Sequence, residues 1–268
     1  MNYNREQALM NRLRIKGRME LTEVVNYLQI SESTARRLFS RLETEGKLIR
    51  VHGGIQLSGK NPLEYSFEQI VQTHIEEKNA IGVRACDMLK EGEVLFCDTG
   101  TTVLCFCMEL ARRVEEKPFE INVYTNSLAN FEVLSPVMHV TLIGGEYRSN
   151  RKDFSGYLAE IAISKVHFTK CFLGADGCDM KQSFTTTDFD TARMDEMAMH
   201  NAEETIILCG SDKFSACTQV GHAAFSEVDK VVTDSHVRPG VKAHLEELGM
   251  EVVIAEVRTA KGEEEVCM

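Results

Sequence analysis

The chain has 268 residues, 43% of them hydrophobic and 26% charged, with a formal net charge of −11; this is the make-up of a soluble globular protein of one or two domains. No apolar run approaches the roughly 18–20 residues of a membrane helix, and the polar start from Met1 to Arg14 lacks a signal-peptide core, so a cytoplasmic location without a membrane partner is expected. Nine scattered cysteines form no CxxC pair and no zinc-finger spacing; several sit in apolar runs and read as reduced core residues, so neither a metal nor a cofactor is expected.

The charge is unevenly spread. Residues 1–57 hold ten Lys/Arg against six Asp/Glu, whereas the rest of the chain carries 20 basic and 35 acidic residues. A small basic head on an acidic body suits nucleic-acid binding confined to the head. Three short helices are predicted there. The first runs from about Arg5 to Ile15 and stops at Gly17, a residue suited to a helix C-terminus. The second carries Leu21, Val24, Val25 and Leu28 as one apolar stripe. After a tight turn at Gln29 and Ile30, Ser31 is placed to cap the third.

In that third helix Ala35, Leu38, Phe39 and Leu42 form the inward stripe, and Ser33, Thr34, Arg36, Arg37, Ser40 and Arg41 cover the other faces. Two helices joined by a tight turn, the second presenting hydroxyls and arginines, form a helix-turn-helix layout. Arginine can grip guanine or phosphate with two hydrogen bonds, and hydroxyls can bind either. Residues 47–57 alternate around Gly53-Gly54 and predict a small β-hairpin, a wing whose Arg50 and His52 can reach the DNA backbone or minor groove. The DNA-contacting set is therefore Ser31, Ser33, Thr34, Arg36, Arg37, Ser40, Arg41, Arg50 and His52.

Ser31, Thr34, Arg36 and Arg37, followed by Leu42-Glu43, Gly46, Leu48, Arg50 and His52-Gly53-Gly54, resemble the DeoR family of bacterial sugar-metabolism regulators. The resemblance implies that this block is a recognition helix and wing. It departs at Leu38, where the family usually has Asp.

Residues 58–62 read as a hinge and 63–75 as a connecting segment, which gives a head at 1–57, a linker at 58–75, a body at 76–256 and a tail at 257–268. In the body, helices are predicted near 76–90, 102–114, 127–134, 155–166, 190–202 and 240–248. Strands are predicted near 93–98, 121–125, 138–143, 168–173, 204–209, 229–233 and 250–254. Short apolar strands alternating with amphipathic helices predict a mostly parallel α/β sheet covered on both faces.

Ligands in such folds bind beyond the carboxyl ends of the strands. Five predicted strand ends carry small, hydroxyl or charged residues: Asp98, Gly100, Thr101 and Thr102; Thr125, Asn126 and Ser127; Gly144, Gly145 and Arg148; Asp176 and Gly177; and Lys213. Backbone N–H groups at a helix start, with hydroxyls beside them, can hold a phosphate, so these thirteen residues are the expected effector site. Glu77-Lys78, Asp98 to Thr102, Thr125-Asn126-Ser127, Gly144-Gly145, Arg148, Phe172-Leu173-Gly174, Asp176-Gly177, Thr185-Thr186 and Ser211 to Phe214 are similar to the effector domain of the same family. That likeness implies a fold related to ribose-5-phosphate isomerase and a phosphorylated sugar as ligand. It departs at Asp195-Glu196, where the family often has Lys-Arg.

The expectation is a non-enzymatic, sequence-specific DNA-binding regulator. The resemblance implies a repressor of a carbohydrate-metabolism operon, modulated by a phosphorylated sugar. It should hold double-stranded operator DNA as a homo-oligomer, because helix-turn-helix proteins read two half-sites. The alternative is an isomerase-like sugar-phosphate enzyme with an appended DNA-binding head, using Asp98, Asp176 and Lys213. Against it, Asp176-Gly177 is followed by Cys178 and Asp179 and does not reproduce the further acids of the isomerases.

Overall fold

The computed structural model of the chain describes residues 2–16, 18–44, 47–51, 53–57 and 67–257. Gly17, Gly46, His52, the hinge at 58–62 and the tail from 258 onward lie outside the described residues. The chain divides into two units, residues 1–69 and 70–268.

In the first unit the order is α1 (Asn2–Lys16), β1 (Arg18–Glu20), α2 (Leu21–Leu28), α3 (Glu32–Thr44), β2 (Leu48–Val51) and β3 (Gly54–Leu57). The apolar stripes close on one core of Leu9, Leu13, Met19, Val24, Ala35, Phe39, Leu42, Leu48 and Ile55. Gln29 ends α2 in the left-handed conformation, φ 52°, which makes the turn into α3 tight. Ser31 then caps α3, its hydroxyl accepting from the Thr34 N–H at 3.3 Å. Leu38 packs against the core edge, so an apolar residue fits where the family has a carboxylate.

The wing is the expected hairpin with one addition. β1 pairs with β3, making a three-stranded sheet in the order β1-β3-β2. A side chain at Gly54 would stand 2.1 Å from the Met19 carbonyl oxygen, so only glycine lets the two strands meet. Gly54→Ala is therefore expected to destabilise this unit by about 1–3 kcal/mol and to weaken operator binding in parallel. Urea denaturation and a gel-shift titration of the full chain check both, and a variant as stable as the parent would contradict this account.

After α4 (Phe67–Ile70), which spans the division, the second unit runs through α5 (Ile75–Cys86), β4 (Val94–Cys97), α6 (Thr101–Glu116), β5 (Asn122–Thr125), α7 (Leu128–Leu134) and β6 (Val140–Leu142). Next come β7 (Glu146–Arg148), β8 (Asp153–Ser155), α8 (Tyr157–Ile163), β9 (Lys170–Leu173), β10 (Gly177–Asp179), β11 (Ser183–Thr186) and α9 (Phe189–His200). The chain closes with β12 (Thr205–Leu208), a short 3-10 turn at Ser211–Ser215, β13 (Val220–Ala224), β14 (Lys230–Asp234), α10 (Pro239–Glu247) and β15 (Glu251–Ala255).

Seven of these strands form one parallel sheet in the order β15-β14-β12-β9-β4-β5-β6. Its core is split by the two-residue period of the strands. Phe96, Cys171, Leu173 and Ile207 face α8, α9 and α10 through Ile163, Met194 and Leu245. Leu95, Cys97, Phe172, Ile206 and Leu208 face α5, α6 and α7 through Ile81, Phe106 and Leu134. Seven cysteines, at positions 86, 97, 105, 107, 171, 178 and 209, are buried and free, as expected of small core residues.

A ladder of charge crosses the amino edge of the sheet. Glu93 precedes β4 and pairs with Lys170 on β9, which reaches Glu204 ahead of β12 at 3.5 Å. Lys230 on β14 meets Glu204 at 3.0 Å and Glu251 on β15 at 2.9 Å.

Two antiparallel additions were not predicted. β7 and β8 form a hairpin, and β10, β11 and β13 form a three-stranded sheet. Arg148 accordingly lies on a hairpin strand rather than in a loop after β6.

Candidate functional site

On α3, Arg36, Arg37 and Ser33 are exposed. Among the described residues Arg36 has one ion pair, a 3.7 Å contact with Glu32 one turn back, an exposed pair that holds it weakly. Arg37 lines a cleft with Arg5, Ile30, Thr34, Leu38 and Arg41. Arg41 is turned toward α1, where it meets Glu6 at 2.6 Å beside Lys47 at 2.7 Å. Hydrogen bonding from Lys47 holds the Glu6 carboxyl below its usual range. Arg50 reaches across to α3, donating to the Ser40 hydroxyl at 3.3 Å. Ser31 bonds the hydroxyls of Ser33 and Thr34 at 3.0 and 2.9 Å. The two arginines directed outward are thus Arg36 and Arg37, while Ser31, Ser40, Arg41 and Arg50 brace the helix and wing.

In the second unit, the strand order reverses between β4 and β9: later strands add on one side of β4 and β5 and β6 on the other. Crevices form at such switch points, outside the carboxyl ends of the strands. Asp98 follows β4 and Gly174 follows β9, and the turns almost touch. A side chain on Gly174 would stand 3.2 Å from the Gly100 Cα, and one on Gly100 would stand 3.1 Å from the Gly174 Cα. Asp98, 4% exposed, binds both turns. Its carboxylate accepts the Gly174 N–H at 2.7 Å and the Gly100 N–H. Burial pushes its pKa up to about 6 despite those two donors, with Asp176 and Asp153 adding to the rise.

α6 starts immediately after Gly100 with no side-chain cap, so its first-turn N–H groups present the positive end of the helix dipole at this turn, where Thr101 and Thr102 are buried. Thr125 and Ser127 sit behind it as scaffold. The Thr125 hydroxyl donates to the Cys97 carbonyl at 2.6 Å, and the Ser127 hydroxyl accepts the Asn130 N–H as cap of α7. Asn130 in turn donates to the Asp98 carbonyl at 2.6 Å. The Asn126 side chain donates to the Phe154 carbonyl at 3.0 Å, and its buried amide oxygen has no partner among the described residues.

Gly145 permits a close approach of backbone, since a Cβ there would stand 2.4 Å from the Ser155 carbonyl oxygen; Gly144 has open space around it. Gly177 is needed in the same way against the Ala216 carbonyl oxygen, at 2.6 Å. Arg148 is gripped by Asp153 at 2.6 Å and Asp188 at 2.8 Å. Asp176 accepts from the Thr186 hydroxyl and the Thr187 N–H, both at 3.1 Å. Lys213 pairs with Asp212 at 3.0 Å.

Several residues of this region are absent from the expected set. Arg151 joins Asp188 at 2.6 Å and lies 4.0 Å from Asp176, tying the hairpin to the start of α9. His222 on β13 bonds the Gly174 carbonyl at 3.1 Å, so the Gly174 residue is held on both its backbone groups. Burial lowers the His222 pKa to about 4, so the ring donates as a neutral imidazole, and burial likewise raises that of Asp195, 3.7 Å away. Lys78, 5% exposed, donates to the Ile70 carbonyl, and burial lowers its pKa to about 8. A single histidine in the apolar strand Val220–Ala224 was the one available sequence signal for His222.

Residues 5–60 match the family described as the DeoR-like helix-turn-helix domain, and residues 73–235 match the DeoR C terminal sensor domain. The chain belongs to the DeoR family. Among DeoR-family relatives, the lactose phosphotransferase system repressor of Lactococcus lactis subsp. lactis is 33% identical, over 95% of this chain and 98% of its own length. The protein of the same name from Streptococcus mutans is 32% identical over 82% of this chain and 86% of its own. The HTH-type transcriptional regulator GlpR of Haloferax volcanii is 30% identical over 85% and 88% respectively. A ribose 5-phosphate isomerase A from Methanocaldococcus jannaschii aligns over 51% of this chain and 52% of its own, at 16% identity and a TM-score of 0.38. This DeoR-family chain is a DNA-binding transcriptional regulator rather than an enzyme. No helix among the described residues is long and apolar enough to cross a membrane.

Proposed function

We propose that this DeoR-family protein is a cytoplasmic repressor of a carbohydrate-metabolism operon, and that a phosphorylated sugar modulates its hold on the operator. The head, residues 1–57, would grip double-stranded DNA through Ser33, Thr34, Arg36 and Arg37, with His52 in the wing and Arg50 bracing that wing against the helix. The sensor, residues 76–256, would take the ligand at the switch point. The reading rests chiefly on one observation: Asp98 bridges the Gly100 and Gly174 turns directly beside the uncapped start of α6. A helix start with adjacent hydroxyls suits a phosphate, and a buried carboxylate suits a sugar hydroxyl. Two of the relatives are named for repressing a lactose phosphotransferase system, which supports a sugar-linked operon as target.

Ligand and DNA need only favour different arrangements of a homo-oligomer for each to weaken the other. Operator affinity measured against a panel of phosphorylated sugars and their unphosphorylated parents tests this. One phosphorylated sugar should weaken DNA binding by about 5–150-fold. At 100 times its dissociation constant it should also stabilise the protein by about 2.7 kcal/mol, seen as a rise in melting temperature. Unchanged affinity and melting temperature across the panel would remove the ligand half of the proposal.

A further inference from the structure

The sensor unit leaves four large apolar side chains standing in solvent on one helix layer. Phe189 is 78% exposed, Tyr157 75%, Leu158 70% and Ile161 41%. α8 and α9 run in the same direction, because each leads into the amino end of a parallel strand. Glu160 and Arg193 meet across them at 3.4 Å. Tyr157 and Leu158, just before Glu160, are therefore level with Phe189, one turn before Arg193. The four side chains make one surface.

Its size points to an occupant. With about 150–250 Å² for each large aromatic side chain, the patch presents on the order of 500 Å² of apolar area. That is the upper end of what a monomer exposes in one place, about 300–600 Å². A standard interface buries about 800 Å² per partner, and homodimer interfaces are about 65% apolar, so the patch matches the apolar share of one such interface. Its rim is self-complementary: Arg193, about half exposed, faces Glu160 at 3.4 Å and Glu196 at 3.7 Å. Around a two-fold axis those partners can be exchanged between copies.

We propose that the α8–α9 face, centred on Tyr157, Leu158 and Phe189, seats a second copy of this chain. It deepens the reading above, in which two heads must read two half-sites. The surface also adjoins the candidate ligand site. Phe189 follows Asp188, which caps α9 by accepting the Thr191 N–H at 2.9 Å while holding Arg148 and Arg151. A ligand that draws Arg151 or Asp188 toward the crevice re-aims the first turn of α9, and with it the centre of the interface.

The test is sedimentation velocity of the full chain, without DNA, for the parent, the double variant Leu158→Arg/Phe189→Glu and the control Met108→Glu. Met108 is 51% exposed on α6, away from the patch. The parent and the control should sediment as a dimer or larger. The double variant should keep the parent's circular-dichroism spectrum and a cooperative melt, and dissociate, its dissociation constant raised by at least about 100-fold. A monomeric parent, a double variant that stays associated, or equal dissociation of the control would each overturn the proposal. So would a double variant that unfolds, unless the single variant Leu158→Arg folds and dissociates. Since mass is read without DNA, a chain that bound no operator yet dissociated as expected would sink the DNA reading and leave the interface standing.

Discussion

Arg36→Ala/Arg37→Ala is expected to weaken operator binding by about 2–4 kcal/mol, roughly 30- to 1,000-fold, with the fold intact. Both side chains are exposed on α3 outside the core stripe. Removing them breaks only the 3.7 Å contact between Arg36 and Glu32 among the ion pairs described for this helix. Each bidentate contact to a base is worth about 1–3 kcal/mol, and each lost phosphate contact lowers the salt slope by about one. Titrations at several salt concentrations separate the two: a sequence-blind loss with a slope shallower by up to about two assigns both to phosphate. Unaltered affinity and slope would show that α3 is not the recognition helix.

Asp98→Asn is expected to silence the ligand response while costing the neutral-pH fold little. Burial, the largest cause, raises the pKa of Asp98 to about 6, whereas an unfolded aspartate titrates near 3.9. The folded form therefore keeps its proton longer. The stability Asp98 contributes is complete below about pH 4 and is lost as pH rises through 6, a change of roughly 3 kcal/mol at about 1.4 kcal/mol per unit. Asparagine carries no charge and removes that dependence. Its amide also turns an N–H toward one of the two donors now satisfied, at about 1–3 kcal/mol. The two effects nearly cancel at pH 7, and the variant compares worse with the parent at pH 4–5. Denaturation at both pH values, beside the operator titration with ligand, checks the pair of claims. A full ligand response, or a neutral-pH loss well above 3 kcal/mol, would mean that Asp98 serves the fold and not the ligand. A charge kept buried at a cost to the fold is what a binding site requires.

The seven parallel strands were legible because each is a short apolar run bounded by turn residues and followed by an amphipathic helix. β12, with Thr205–Leu208 wholly buried, shows the type. The helix-turn-helix was legible because the stripe of α3 and the hydroxyls and arginines beside it follow one period. What was not legible is short and antiparallel. β1, β7, β8 and β10 have three residues each, and their pairing depends on distant backbone. Met19 meets Ile55, and Phe184 meets Ala223, across spans that carry no local signal. The same holds within the crevice. Asp98 and the α6 start announce themselves as a strand end, whereas Arg151, Asp188 and His222 enter through those antiparallel pieces. Arg148 shows the converse, for its charge was legible but not its enclosure by Asp153 and Asp188.

The alternating Glu93, Lys170, Glu204, Lys230 and Glu251 bear on how the chain finds its alignment. Each lysine bridges carboxylates from neighbouring strands, buried at the Glu93–Lys170 end and exposed at Glu251; buried pairs add little net stability over apolar substitutes and exposed ones about 0–1 kcal/mol. Their value lies in what they forbid. Sliding β9 by a single residue would turn its side chains to the opposite face and part the buried Lys170 from Glu93, so the charge pair penalises the misaligned β4–β9 pairings in which the turns that carry Asp98 and Gly174 would not be juxtaposed.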